Sequence, residues 1–199
     1  GERLNPDGTL YTENLRRAKS TDVYICKGGG EEIWQPHFTF HGFQYVELTG
    51  LPAAPGKEAV TGCVVRSATA TTGHFECSHP GVNRLWLNTL WSQRDNFLSV
   101  PTDCPQRDER LGWMGDAQVF LRTATYNMDV AAFFTKWMID IEDAQTEEGV
   151  FPDTAPRLDE TIRFVGLDHL CGAAGWADAG IIVPYLIWRM YGDRRIIER

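Results

Sequence analysis

The first third of the chain alternates apolar and polar residues with the period of β-strands. In "DVYICKG", residues 22–28, the alternation predicts that Val23 and Ile25 point inward and Asp22 and Tyr24 outward, before a break at three consecutive glycines. The segment "HFTFHGFQYVELTGL", residues 37–51, is rich in aromatic and β-branched side chains, and "AVTGCVVRSAT", residues 59–69, continues this character. Glycine and proline clusters separate the three segments. The pattern predicts short strands that form one side of a β-sandwich.

After Ser78 the apolar residues recur every three or four positions, which is the spacing of helices. In "SHPGVNRLWLNTLWSQRDNFLSV", residues 78–100, a serine followed by an early proline predicts a capped helix start. A second helix is predicted from Asp116 to Tyr126. The two helices are separated by a strongly charged loop.

Two further helices follow in the pattern. Asp129 is predicted to cap the third helix, whose apolar face comprises Val130, Phe133, Phe134, Trp137, Met138 and Ile141. The fourth, "WADAGIIVPYLIWRMYG" at residues 176–192, carries Pro184 as a kink and ends at Gly192 as its C-cap. The chain therefore reads as a β domain followed by antiparallel helices, with polar and aromatic residues in the connecting loops.

The charged loop is "PTDCPQRDERLGWMGDAQ", residues 101–118, which holds four carboxylates, two arginines, two glycines and one tryptophan. A solvated surface loop does not need the indole, and a core segment does not tolerate the carboxylates. The composition of this loop predicts a binding site.

Several chemistries fit that composition. Four acids are suitable ligands for calcium, whereas no neighbouring histidine suggests zinc. Cys104 has no histidine near it in sequence to act as its base, which disfavours a cysteine nucleophile. Carboxylates with a tryptophan are typical of sugar binding, and a carboxyl pair is what glycoside hydrolysis requires. The alternative is an exposed, salt-bridged loop in which Asp116 merely caps the next helix.

The charge and composition of the chain restrict the classes of partner that it can bind. The 199 residues carry a net charge of −8, which argues against nucleic acid, and no apolar run reaches the length of a membrane span. Five cysteines without a C-x-x-C pair predict reduced, buried thiols rather than zinc or disulfides, and slightly favour a cytoplasmic location. The absence of an initial methionine and a helical-looking end suggest a segment of a longer protein.

The charged loop resembles the signature loop of the bacterial α-L-rhamnosidases, at the start of their (α/α)6-barrel catalytic domain. The flanks agree: "FTFHGFQYVELTG" resembles the family's preceding β-sandwich domain, and "NMDVAAFFTKWMIDIEDAQ" and "GAAGWADAGIIVPY" resemble its barrel helices. The resemblance implies a multidomain, β-then-α fold. Residues 1–70 would be the end of a concanavalin-like β-sandwich, and residues 71–199 the first helices of the (α/α)6 barrel.

The resemblance also implies roles for individual residues. Glu109 matches the general acid. The family's substrate contacts match five positions: Asp103, Arg107, Trp113, Asp116 and Trp176. Asp178 is a weaker match. Asp108 either raises the pKa of the neighbouring acid as a like charge or, the preferred interpretation, pairs with an arginine. The Leu-Gly-Trp turn after Glu109 is expected to tuck its carboxyl against apolar surface and hold it protonated.

The implied activity is removal of terminal α-L-rhamnose from plant glycosides or polysaccharides, with inversion and without a cofactor or metal. The family's catalytic base, a glutamate further along the barrel, is expected beyond residue 199. The implied partner is a carbohydrate. Two alternatives stay open: an (α/α)6 glycosidase of other sugar specificity, and a non-catalytic sugar-binding protein that has lost the base.

Overall fold

The computed structural model describes residues 1–157 and 171–198. It contains two compact units. The first comprises Gly1–Val65 with Cys104–Arg110, and the second comprises Arg66–Asp103 with Leu111–Arg199. The segment Cys104–Arg110, here called the excursion segment, thus leaves the second unit and returns to it. The domain limits given above, residues 1–70 and 71–199, stay a prediction.

The first unit has small strands at its beginning. β1 (Arg3–Leu4) and β2 (Leu10–Tyr11) form an antiparallel pair, followed by a short 3₁₀ helix at Glu13–Leu15 and another at Lys57–Ala59. The amides of Gln44 and Tyr45 both donate to the Gly1 carbonyl at 2.9 Å.

The strands predicted for residues 22–28, 37–51 and 59–69 are wrong, because none of these segments forms a strand among the described residues. Val23 and Ile25, expected to point inward, are 79% and 85% exposed. Alternation specifies which side chains share a face, but a strand exists only where a neighbouring backbone completes the hydrogen-bond ladder. These segments have no such neighbour in the described part of the chain.

The second unit begins its helices with α1 (Pro80–Asn96). The predicted serine cap is wrong by one residue: His79 is the N-cap, and its Nδ1 accepts the Val82 amide at 3.4 Å. Pro80 occupies the first turn, where its missing N–H costs nothing. α1 leads into an antiparallel hairpin of β3 (Phe97–Leu98) and β4 (Val100–Pro101).

The second and third helices confirm the apolar spacing. α2 (Met114–Asn127) begins two residues before the predicted start, and α3 (Ala131–Asp143) buries its predicted apolar face. Asp129 lies one residue before the α3 N-cap, Val130, and its Oδ1 accepts the Ala131 amide at 3.2 Å. The expected carboxylate therefore does satisfy an amide of the first turn, from a position one residue earlier.

The fourth helix, α4 (Ala179–Tyr191), begins three residues after the predicted start and contains Pro184. Gly192 confirms the predicted C-cap, with a left-handed φ of 72°. α4 packs against both α2 and α3. Their core includes Phe97, whose ring stacks on Phe133 with centroids 4.6 Å apart.

None of the five cysteines, all of which lie in the described ranges, forms a disulfide. The prediction of burial holds only for Cys104, since Cys77 is partly exposed and Cys26, Cys63 and Cys171 are exposed. Within the described ranges, no helix has the length and apolar character needed to cross a bilayer.

Candidate active site

The base of the excursion segment is closed by Asp103 and Leu111, both in the second unit. The Asp103 amide donates to the Leu111 carbonyl at 3.1 Å, and the Leu111 amide donates to Asp103 Oδ1 at 2.9 Å. One carboxylate oxygen of a predicted sugar contact is thus already bound to the backbone, which fixes the direction of the side chain.

Three of the predicted substrate residues line one cavity of about 510 Å³ in the second unit: Asp103, Asp116 and Trp176. We call it the α2 cavity. Asn96 and Thr102 line it as well, and the Thr102 hydroxyl donates to the Asn96 carbonyl at 3.2 Å. Its volume lies within the range of small-molecule sites, and its wall combines carboxylates with an exposed indole.

A glycine allows Trp176 to approach α2. A Cβ on Gly115 would lie 2.9 Å from the Trp176 Nε1 and 3.0 Å from the Gly175 carbonyl oxygen. The Gln118 side-chain amide also donates to that carbonyl. The turn that carries Trp176 is therefore held directly over the first residues of α2, beside Asp116.

Asp116 lies in the first turn of α2 and is exposed. The alternative that Asp116 is the N-cap of this helix is wrong, because the N-cap is Trp113, whose own side chain makes no capping hydrogen bond. A carboxylate in the first turn still interacts favourably with the helix dipole.

Trp113 does not line the α2 cavity. Its backbone forms an isolated antiparallel bridge with Thr154, and its Nε1 is buried without a hydrogen-bond partner. Asp178 also lies outside the cavity lining, and its Oδ2 accepts the Gly175 amide at 3.0 Å. Both residues thus shape the turns around the cavity.

Glu109 and Arg107 lie in the excursion segment of the first unit. The Arg107 guanidinium approaches Glu109 Oε2 at 2.7 Å, and the Arg16 guanidinium approaches the same oxygen at 3.1 Å. Both distances are those of ion pairs, but neither pair is aligned as a hydrogen bond, since the buried Oε2 has no hydrogen-bond partner. Two guanidinium groups are thus charged neighbours of this carboxyl. The apolar packing expected from the Leu-Gly-Trp turn stays a prediction.

Asp108 pairs with Arg17, as preferred from the sequence. The Arg17 Nε donates to Asp108 Oδ2 at 2.8 Å, and this hydrogen bond holds the pKa of Asp108 below its usual value. Asp108 therefore stays ionised and anchors the excursion segment.

Two further contacts fix this segment within the first unit. The Arg110 guanidinium lies over the Phe40 ring, 4.5 Å from its centroid, and donates to the Phe40 carbonyl at 3.1 Å. The Arg110 amide donates to the buried Cys104 Sγ at 3.4 Å. Cys104 thus has a structural contact inside the segment.

Sequence analysis missed three residues of this arrangement. Arg16 and Arg17 meet the loop acids across about ninety residues of chain, since Arg17 and Asp108 are 91 positions apart. Asp153 is buried, and its Oδ1 accepts the Ala173 amide at 3.1 Å, which supports the turn before Trp176. The only signal in the sequence was unspecific: paired arginines in "ENLRRAKS" and a carboxylate in the proline-marked "VFPDTAP".

Two family models match the chain. The bacterial alpha-L-rhamnosidase 6 hairpin glycosidase domain matches residues 70–199, and the bacterial alpha-L-rhamnosidase concanavalin-like domain matches residues 1–66. Small strands followed by helices agree with these two matches.

Curated and solved relatives are similar over nearly the whole chain. An α-L-rhamnosidase of Streptomyces avermitilis is 52% identical over 196 residues, covering 98% of this chain and 18% of that protein. One of Formosa agariphila is 44% identical over 199 residues, covering 99% of this chain and 21% of that protein. The crystal structure of the Streptomyces avermitilis α-L-rhamnosidase complexed with L-rhamnose has a TM-score of 0.93 and 51% identity, covering 99% of this chain and 18% of that one. The chain spans about a fifth of the length of these relatives.

Proposed function

The chain belongs to the bacterial α-L-rhamnosidase family, and on that premise we propose that the protein containing it hydrolyses terminal α-L-rhamnosides. The observation that carries the proposal is the α2 cavity, in which two carboxylates and an exposed indole face one space of about 510 Å³. A similar protein has been crystallised with L-rhamnose. Plant glycosides and polysaccharides are the proposed sources of that sugar.

The cavity chemistry suits a pyranose. The carboxylates of Asp103 and Asp116 accept hydrogen bonds from sugar hydroxyls, and the Trp176 indole packs on the C–H face of the ring. Asp103 enters this role already oriented, because its Oδ1 is bound to the Leu111 amide. Arg107 and Trp113 are proposed as further contacts by family resemblance alone.

Glu109 is proposed as the general acid. It donates a proton to the glycosidic oxygen while the bond from that oxygen to the anomeric carbon breaks. Inversion requires a second carboxyl roughly 6.5–9.5 Å away, with room for the attacking water. We assign this base to no residue among 1–157 and 171–198.

The finer architecture is part of the same proposal. Residues 1–70 are proposed as the end of a β-sandwich domain. Residues 71–199 are proposed as the first helices of an (α/α)6 barrel, and the buried apolar face of α3 and the packing of α4 against α2 and α3 support this.

The test compares Glu109→Gln with wild type in the full-length protein, on two rhamnosides. On an alkyl rhamnoside, whose leaving oxygen is basic, kcat is expected to fall about 10²- to 10⁴-fold. On a dinitrophenyl rhamnoside, which leaves without protonation, the loss is expected to be much smaller.

Glu47→Gln is the matched control, because Glu47 is exposed and lies outside the site. Equal losses on both substrates would remove Glu109 from the acid's role. Rhamnose binding by the wild type without hydrolysis of either substrate would favour the non-catalytic sugar-binding alternative.

A further inference from the structure

Two adjacent arginines meet two adjacent acids within the first unit. Arg16 approaches Glu109, and Arg17 binds Asp108. Both arginines follow the 3₁₀ helix Glu13–Leu15, whose last residue is buried. The four side chains come from segments about ninety residues apart, yet each pair is in contact.

The local backbone determines where Arg16 points. Arg16 has a φ of 56°, in the left-handed region that non-glycine residues rarely adopt, and its amide donates to the Glu13 carbonyl at 3.2 Å. Such a conformation costs energy and persists only where surrounding contacts determine it. The turn therefore fixes the backbone position from which the Arg16 side chain extends to the excursion segment.

The two pairs differ in kind. Arg17 and Asp108 share an aligned hydrogen bond of 2.8 Å, typical of an anchoring contact. Arg16 and Arg107 instead make their closest approaches to the same Glu109 oxygen, Oε2, without an aligned hydrogen bond. Exposed ion pairs add little to stability, and the Arg16 side chain is 54% exposed. Stability alone is therefore a weak reason for a second guanidinium at this carboxyl.

We propose that Arg16 is a positioning residue for the general acid: with Arg107 it holds Glu109 Oε2, so that Oε1 presents the transferred proton. This inference rests on the proposed hydrolysis of rhamnosides.

The proton leaves Glu109 Oε1 for the glycosidic oxygen, which keeps the electron pair of the breaking bond to the anomeric carbon. Glu109 becomes a carboxylate, and its new charge faces the guanidinium groups of Arg16 and Arg107. Water supplies the hydroxyl group of the released sugar, and the catalytic base that inversion requires accepts the other proton of that water. The two arginines thus stabilise charge at the point where it develops.

The test uses Arg16→Gln, Arg16→Lys and Arg17→Gln in the full-length protein, with the alkyl and dinitrophenyl rhamnosides. Arg17→Gln is the matched control, because it removes the same charge from the neighbouring residue. Arg16→Gln is expected to lower kcat on the alkyl rhamnoside on the order of 10- to 100-fold, as a misplaced catalytic group does. On the dinitrophenyl rhamnoside kcat should stay near wild type, and KM for both should change little.

Arg16→Lys keeps the charge and is expected to recover part of the lost kcat. Arg17→Gln is expected to affect both substrates equally and slightly. If Arg16→Gln does not fold, as judged by circular dichroism, Arg16→Lys carries the test, with a smaller loss confined to the alkyl substrate. Losses by Arg16 variants that are equal on both substrates, or no larger than that of Arg17→Gln, would overturn the positioning role.

A double variant separates this inference from the proposed function. In a Glu109→Gln background, Arg16→Gln should cause no further loss on the alkyl rhamnoside, because both act through one carboxyl. An additive loss would overturn the inference. If Glu109→Gln itself shows no dependence on the leaving group, Glu109 is not the general acid and the inference about Arg16 is overturned with it. Hydrolysis of neither rhamnoside by the wild-type protein would instead overturn the proposed function.

Discussion

Asp103 and Leu111 exchange two hydrogen bonds, of 3.1 and 2.9 Å, at the points where the chain leaves the second unit and returns to it. One of these bonds uses the carboxylate that is also proposed to hold a sugar hydroxyl. Because the Asp103 side chain has both a structural role in the loop and a proposed role in sugar binding, substitutions can test the two roles separately.

Asp103→Asn keeps an acceptor oxygen for the Leu111 amide but loses the negative charge. We expect it to melt near the wild-type temperature while binding L-rhamnose at least 10-fold more weakly, which corresponds to about 1.4 kcal/mol. Asp103→Ala should lose binding and also about 1 kcal/mol of stability, because the amide loses its acceptor. Calorimetric titration and thermal unfolding check both. If Asp103→Ala melts like wild type, the closing hydrogen bond contributes nothing.

Asp116→Ser tests the carboxylate at the edge of the α2 cavity. Because Trp113 occupies the cap position, the expected loss is only the dipole interaction, about 0.3–1 kcal/mol, whereas rhamnose affinity should fall strongly. Asp143→Ser at the last residue of α3 is the control. It removes an acid from the unfavourable end of a helix, so it should stabilise slightly and leave binding unchanged. Unchanged rhamnose affinity in Asp116→Ser would exclude Asp116 from the sugar site.

Gly112→Ala tests the tight approach behind the turn to Trp113. A Cβ at this position would lie 2.1 Å from the Ala155 carbonyl oxygen, and the Ala155 amide donates to the Gly112 carbonyl at 3.0 Å. Backbone must move to relieve that clash, so we expect a loss of about 1–3 kcal/mol. Gly62→Ala, with open space around its Cβ, should melt like wild type. Equal melting temperatures for the two variants would refute the clash.

Tyr191 gives a prediction for alkaline pH. Its hydroxyl accepts the Val130 amide at 2.9 Å and donates to the Met128 carbonyl at 3.3 Å. Burial raises the pKa of Tyr191, so the folded state keeps its proton to higher pH than the unfolded state does. The stability it contributes is present below the unfolded pKa of about 10 and is lost as pH rises through the folded value.

Tyr191→Phe should therefore cost about 1–3 kcal/mol near neutral pH, by leaving the buried Val130 amide without an acceptor. It should also flatten the decline of melting temperature above about pH 10. Tyr126→Phe is the control, because Tyr126 is exposed on α2, where its hydroxyl accepts a hydrogen bond from the Arg122 Nε. An alkaline decline that is the same in wild type and Tyr191→Phe would contradict this account.

The helices were predictable because each carries its own signal. The apolar face of α3 and the glycine after α4 specify burial and termination within a few consecutive residues. The strands around Val23 and Ile25 were not, because strand formation depends on a second backbone that the local pattern does not identify. The N-cap of α1 was predicted one residue too early because Ser78 and His79 are adjacent, and only the folded backbone determines which of them occupies the cap position.

The residues of the candidate site could be predicted from the sequence, but most of the contacts between them could not. The density of acids around Trp113 marked the loop, and family resemblance assigned roles within it. The pairing of Glu109 with Arg16 was hidden, since an arginine in "ENLRRAKS" looks like any solvated charge until the fold brings it to its partner. Side chains that meet across long stretches of sequence leave no periodic trace.

The excursion segment has a consequence for how such a protein can be divided. Its seven residues, Cys104–Arg110, make most of their contacts with the first unit, whereas the residues on either side of it belong to the helical second unit. A recombination event at residue 66 would therefore join Glu109 to a foreign first unit and remove Arg16, Arg17 and Phe40, which contact the excursion segment. Chimaeras of two relatives should therefore be active when both units come from the same parent. Chimaeras joined at residue 66 should form their helices but have low catalytic activity.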